Sequence, residues 1–253
     1  MAEKIDRTGE TRVNNNGEEM KIIRYANRND IDVQFVKDGT IIEHRTYDAF
    51  KTGMIRNPMT PTVFGIGFMG IGEFKSKDEN GKETKCYKTW KSMMERCYYH
   101  KYKEKHPTYE NCTVCHEWHN FQVYAKYHNE NYYEVGDEKM TLDKDILHKG
   151  NKVYSPNTCV FVPSSINTLF IKCDKVRGDL PIGVSKNGNK FRVRLSKDNE
   201  RICLGTYDTV EQAFLAYKIA KEQYIKEVAE EYKDKIDPRA YEAMMNYEVD
   251  IND

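Results

Sequence analysis

The sequence predicts an α+β chain of several small modules. These are an N-terminal β-rich part, a central strand–loop–strand–helix part with flanking helices, and a C-terminal three-stranded antiparallel sheet with one helix. Three observations predict this. Apolar–polar alternation closed by Asp-Gly and Asn-Gly turns recurs towards both ends. Apolar residues recur at three-to-four spacing in the middle and again after residue 209. Finally, 253 residues that are 39% hydrophobic and 32% charged suit several modest cores better than one large one.

Residues 1–19 are polar, end in Asn14-Asn15-Asn16-Gly17, and are expected to form a flexible tail. Residues 20–75 form the β-rich module. Ile31, Val33 and Phe35 alternate with polar residues up to the Asp38-Gly39 turn, and Thr40-Ile41-Ile42 returns as the second arm of a hairpin. The Gly-rich run from Val63 to Gly72 predicts a bent strand or packed loop, and the charged stretch around Asn80-Gly81 a boundary. From residue 84 to 173 the pattern turns helical. Tyr87, Trp90, Met93, Met94 and Cys97 share one helix face, and a second helix from about Glu117 turns Trp118, Phe121, Tyr124 and Ala125 inward. Such a stripe is a core face rather than a base-stacking platform. The run Tyr98, Tyr99, Lys101, Tyr102, Lys103 and Lys105 reads as a solvated helix end.

The C-terminal part opens after Lys175-Val176-Arg177-Gly178 and fills residues 178–232. Ile182 to Ser185, Phe191 to Leu195 and Ile202 to Tyr207 are its strands, with turns at Asn187-Gly188-Asn189 and Asp198-Asn199. Thr209 and Gln212 fit a capping box that starts the helix. Residues 233–253 are expected to give a short helix from Asp237-Pro238 and an acidic tail.

Forty basic and forty acidic residues leave a net charge of zero, so affinity for nucleic acid would have to come from a segregated basic face. The C-terminal sheet offers one. Phe191, Val193 and Leu195 point towards the helix, which leaves Arg192 and Arg194 on the other side, with Lys186, Lys190 and Arg201 nearby. In the centre, Leu142-Asp143-Lys144-Asp145-Ile146 reads as a strand. A loop, the strand around Tyr154 to Val162 and a helix from Ser164 follow. A strand acid and a helix oxygen ligand can then clasp one divalent ion, with Asp143 and Asn167 as the ligands and Asn157 holding the loop.

The C-terminal pattern resembles the Apetala/ethylene-response-factor type of DNA-binding domain over about residues 180–228. The residues that carry the likeness are Gly183-Val184, Lys190-Phe191-Arg192-Val193-Arg194, Leu204-Gly205-Thr206-Tyr207 and Ala213-Phe214-x-Ala216-Tyr217. The resemblance implies double-stranded DNA read by the sheet through Arg192 and Arg194. The tryptophans that often flank such a sheet are missing here. Residues 86–170 resemble the phage and intron-encoded branch of the HNH (His-Me finger) endonucleases. That likeness rests on Trp90, Met93, Arg96-Cys97-Tyr98, Val114-Cys115, Trp118, Phe121, the segment around Asp143 and Tyr154-Ser155-Pro156-Asn157-Thr158-Cys159. It implies a ββα-metal domain using Mg²⁺ or Mn²⁺, with Asp143 and Asn167 as ligands and Asn157 as the central asparagine. Lys144 stands where the general-base histidine belongs, so His148 or, as nucleophile, Tyr154 would have to serve, while Lys144 could neutralise phosphate charge.

Cys112 and Cys115 have zinc-ligand spacing, and Cys97 and Cys159 could complete a Zn²⁺ site, although buried thiols are the plainer expectation for the seven cysteines. Cys112-Thr113-Val114-Cys115-His116 spells a c-type haem motif, which is rejected because Met1 to Glu10 lacks an apolar export segment. The chain is expected in a reducing cytoplasm, that of a host cell if a phage or other mobile element encodes it, and no stretch approaches the ~18 apolar residues of a membrane span. The expected function is double-stranded DNA binding coupled to metal-dependent phosphodiester hydrolysis, as in homing-type endonucleases. A catalytically inactive DNA-binding regulator and a protein-binding inhibitor are the alternatives.

Overall fold

The computed structural model describes residues 5–171, 179–198 and 200–251. The expected opening of the C-terminal part at Lys175 to Gly178, and Asn199 of its second turn, lie outside the described residues. Two compact units divide the chain: residues 1–75 with 116–124, and residues 76–115 with 125–253.

In the first unit the alternation of Met20, Ile22, Ile31, Val33 and Phe35 builds one buried sheet face. Four antiparallel strands lie in sequence order: β1 (Thr11–Val13), β2 (Glu19–Asn27), β3 (Asp30–Phe35) and β4 (Ile41–Arg45). Helix α1 (Tyr47–Lys51), capped by Thr46, lays Phe50 on this face beside Ile55. The flexible tail expected over residues 1–19 is corrected. Thr11 to Val13 pair with Glu19 to Lys21, because Asn14 organises the connecting turn. Its Oδ1 accepts from the Asn16 and Glu18 amides, and its Nδ2 donates to the Ile55 carbonyl at 3.1 Å. The Gly-rich run is a packed loop. A Cβ on Gly70, at φ +68°, would run into the Asn120 amide, and one on Gly72 into Gln122.

The second unit starts with α2 (Lys85–Tyr98), N-capped by Thr84, which buries Trp90, Met93, Met94 and Cys97 as its spacing predicts. Helix α3 (His100–Lys105) and β5 (Thr113–Val114) follow, and α4 (Phe121–Asn131) belongs to this unit from Ala125 on. Strand β5 pairs in parallel with β7 (Val153–Tyr154), and β6 (Met140–Asp143) pairs antiparallel with β8 (Val160–Pro163), which leads directly into α5 (Ser164–Leu169). Near the C-terminus, β9 (Val184–Asn187), β10 (Lys190–Lys197) and β11 (Glu200–Tyr207) form the expected meander with β10 central. Thr209 caps α6 (Val210–Tyr232) by accepting from the Gln212 amide at 3.2 Å.

Helix α6 is 23 residues long, and that length changes the domain picture. Its first half puts Ala213, Phe214 and Tyr217 on Val184, Val193 and Leu195 of the sheet. Its second half puts Ile225 and Ala229 into one core with Ile146, Val160, Val162 and Ile166 of the central segment. The central and C-terminal parts, expected as modules 84–173 and 178–232, therefore share a core. The short helix expected from Asp237-Pro238 is present, whereas the acidic tail is corrected, since this stretch is packed down. Helix α7 (Pro238–Met245) buries Ala240 and Met244 in that core, and Val249 is pinned between the Glu222 carboxylate and the Lys218 ammonium. No helix among the described residues is long and apolar enough to cross a membrane.

Candidate functional site

The register of the C-terminal sheet sorts its side chains into two faces. Residues directly paired across antiparallel strands point the same way. Phe191 pairs with Lys186 and Tyr207, and Val193 with Val184 and Gly205, all on the helix side. On the other face Arg192 pairs with Ser185 and Thr206, Arg194 with Cys203, and Ser196 with Arg201. A bulge between Val193 and Arg194 absorbs Leu204, which joins the core. The open face therefore carries Lys190, Arg192, Arg194 and Arg201 among small polar residues.

Lys186 is corrected: it stands on the helix side, because the two-residue turn Gly188-Asn189 sets it opposite Phe191. Arg192 donates to the Asn187 Oδ1 at 2.7 Å, a neutral acceptor that orients the fork without discharging it. Lys190 pairs with Asp208 at 2.8 Å, both exposed, so water and salt screen the contact. Among the described residues, no carboxylate pairs with Arg192, Arg194 or Arg201.

The central segment has the expected strand–loop–strand–helix order, with Asp143 the last residue of β6, opposite Val160. One carboxylate oxygen, Oδ1, accepts from the amides of Asp145 and Ile146, both at 2.7 Å. Burial nevertheless raises its pKa above the ordinary carboxylate value, the two amide bonds offsetting this only in part. Asn167 lies half-buried on α5, which packs against β6 and β8, and its side chain makes no hydrogen bond among the described residues. A carboxylate and an amide oxygen are hard donors of the kind Mg²⁺ or Mn²⁺ accepts while keeping several waters. The donor types fit such an ion.

Lys144 is 5% exposed. Its Nζ donates to the Asp145 carboxylate at 2.6 Å and to the Asn151 carbonyl at 2.9 Å. Burial works to lower its pKa, but the Asp145 bond and charge outweigh burial and the net shift is upward. Lys144 is therefore a fixed cation, not a proton acceptor. Tyr154, 2% exposed and with its pKa pushed far up by burial, is excluded as a nucleophile. His148 is exposed on the loop after β6, which ends early enough, at Asp143, to leave it free of the strand.

The loop-holding role expected of Asn157 falls to Asn151. Asn157 is exposed and makes no side-chain hydrogen bond among the described residues. Asn151 instead donates to the carbonyls of Lys144 at 2.8 Å and Val153 at 2.7 Å, and accepts from the Val153 amide. The sequence signal was present in Gly150-Asn151 before a strand, since Asn readily bonds the backbone two residues on.

The four candidate zinc cysteines do not assemble. Among the described residues, the one set of three His, Cys, Asp or Glu ligand atoms within 4.8 Å of one another is Asp30, Asp32 and His44. Burial pushes the Cys97 and Cys159 thiols up to about 12 and raises Cys112, so these stay protonated as buried thiols. The Asp30–Asp32–His44 set was not anticipated either. The Arg24 guanidinium already spans both of its carboxylates, holding Asp30 below its ordinary pKa and Asp32 at about 2. No family model, no curated protein and no solved structure matches the chain.

Proposed function

We propose that this protein binds duplex DNA through the open face of its C-terminal sheet, with the β6–β8–α5 segment acting as a nuclease-type centre on the bound strand. The observation that carries the reading is the set Arg192, Arg194 and Arg201 on one uncovered face, without carboxylate partners among the described residues, in a chain of zero net charge. A major groove about 12 Å wide admits such a ribbon, and alternate arginines reach phosphates or guanine edges bidentately. Ser185, Thr206 and Ser196 are small enough to let the backbone approach. Phosphate contacts fix position, and base-edge contacts fix sequence.

For hydrolysis, Asp143 and Asn167 would hold a hard divalent cation, which when bound supplies Lewis-acid stabilisation and a more acidic water. The buried charge of Lys144 would lend positive potential to the phosphate but takes no proton, so the general-base role would fall to His148. The upward shift at Lys144 favours a second reading, DNA binding without cutting.

Fluorescence anisotropy with a labelled duplex across a salt series tests the binding reading. Arg192→Ala/Arg194→Ala should flatten the slope of log affinity against log salt by about 2. Bound duplex should also slow maleimide labelling of Cys203, which is exposed on the same face. An unchanged slope with unprotected Cys203 defeats the reading. Nicking of supercoiled plasmid with Mn²⁺ by wild type, lost in Asp143→Ala, separates cutting from binding alone.

A further inference from the structure

A second concentration of positive charge lies in the central segment, away from the C-terminal sheet. Arg96, in the last turn of α2, is half-buried, its guanidinium carbon 5.9 Å from the Tyr109 ring centroid. Lys144 Nζ stands 6.0 Å from the same ring and 5.9 Å from that of Tyr154, so the two cations share the Tyr109 ring, and the Tyr154 hydroxyl also meets Arg96. Two more lysines reach the loop that carries Tyr109. Lys103 Nζ donates to the Glu110 carbonyl at 2.9 Å, and Lys152 Nζ to the Thr108 carbonyl at 3.2 Å. Both satisfy themselves on backbone oxygens, which leaves their charge uncompensated.

Among the described residues, no carboxylate pairs with Arg96, Lys103 or Lys152, and Asp145 alone pairs with Lys144. The Cys97 thiol feels the charges of Lys103, Lys144 and Arg96, and the Cys112 thiol those of Lys144, Lys152 and Lys103, opposed there by Asp145. A guanidinium that is partly desolvated and faces tyrosines instead of a carboxylate retains most of its donor capacity. Low-dielectric aromatic walls strengthen its attraction for an anion. This basic cluster adjoins Asp143 through Lys144 and Asp145, the next two residues in the chain.

We propose that Arg96, Lys103 and Lys152, backed by the buried charge of Lys144, form a phosphate-binding recess that grips the DNA backbone beside Asp143, as a second contact independent of the C-terminal sheet. The DNA part of this proposal rests on the function proposed above, whereas the phosphate affinity does not. In this arrangement the sheet positions the duplex, and the recess holds one phosphodiester next to the candidate metal ligands. Arg96 offers phosphate oxygens the forked donors that Tyr154 does not use.

Two measurements on the full chain test it. In the first, inorganic pyrophosphate is titrated while the unfolding temperature is followed. The midpoint should rise in wild type and in Arg192→Ala/Arg194→Ala, and stay flat in Arg96→Gln/Lys103→Gln/Lys152→Gln. The surface pair Lys103→Gln/Lys152→Gln, which leaves the half-buried Arg96 in place, should lose at least part of the rise and guards against a folding defect. In the second, the salt slope of duplex binding should fall by a further 2–3 or so in the triple variant. Absence of any pyrophosphate effect in wild type, or an undiminished effect in the triple variant, overturns the recess. If pyrophosphate behaves as expected but wild type binds no duplex, the phosphate site stands and the DNA reading falls.

Discussion

Replacing Asn151 by alanine tests the assignment of the loop-holding role most directly. The side chain donates to the Lys144 and Val153 carbonyls and accepts from the Val153 amide. Each such bond contributes roughly 1 kcal/mol net. The two bonds to Val153 are exposed and count for about half as much, while the bond to the Lys144 carbonyl is half-buried and counts fully. The sum is about 2 kcal/mol, or about 4–8 °C in the midpoint for a unit of this size. Asn157→Ala removes a side chain that is exposed and makes no hydrogen bond among the described residues, so its effect should stay within about 0.5 kcal/mol. Urea unfolding of both variants, compared at equal m-value, reads the difference. An Asn157→Ala loss equal to or larger than that of Asn151→Ala would refute the reasoning and return the loop to the asparagine that the family resemblance selects.

Two further outcomes follow from the packing and the buried acid. Ile225 is fully buried where α6 meets the central strands, so Ile225→Ala should cost about 3 kcal/mol. The loss should appear as one cooperative transition for the central and C-terminal parts together; two separate transitions, with only one displaced, would mean that they fold as independent modules. Asp143 titrates above its ordinary value in the folded chain, so its stabilising contribution is full below the usual carboxylate range near ~4 and is lost as pH rises through the raised value. Asp143→Asn keeps an oxygen for the Asp145 and Ile146 amides and should be more stable than wild type at pH 7.5 in EDTA, with the advantage gone at pH 3. Denaturant midpoints at the two pH values check this, and a variant weaker than wild type at pH 7.5 contradicts it.

Local pattern was sufficient wherever the physical cause is local. Alternation over residues 31–35 and 191–195, the Thr209 cap with Gln212, and the three-to-four stripe of α2 specify strands, a helix start and a buried face through contacts a few residues long. The same alternation was enough to free Arg192 and Arg194 from the core. Register with the neighbouring strands then moved Lys186 to the other face and brought Cys203 and Arg201 beside the arginines, because side-chain direction depends on which residues pair across a turn and a bulge.

What spacing cannot convey is decided by distant partners. Residues 11–13 became a strand because Asn14 found the Ile55 carbonyl, and the last residues were ordered because α6 runs past the sheet to a second core. Lys144 remains a charged group because Asp145 and the Asn151 carbonyl converge on its ammonium. Arg96 acquired its lysine neighbours only when the loop at residues 107–110 folded between them. Charge state and anion affinity depend on distances across tens of residues and on how much water is excluded, and these exist only once the chain has closed on itself.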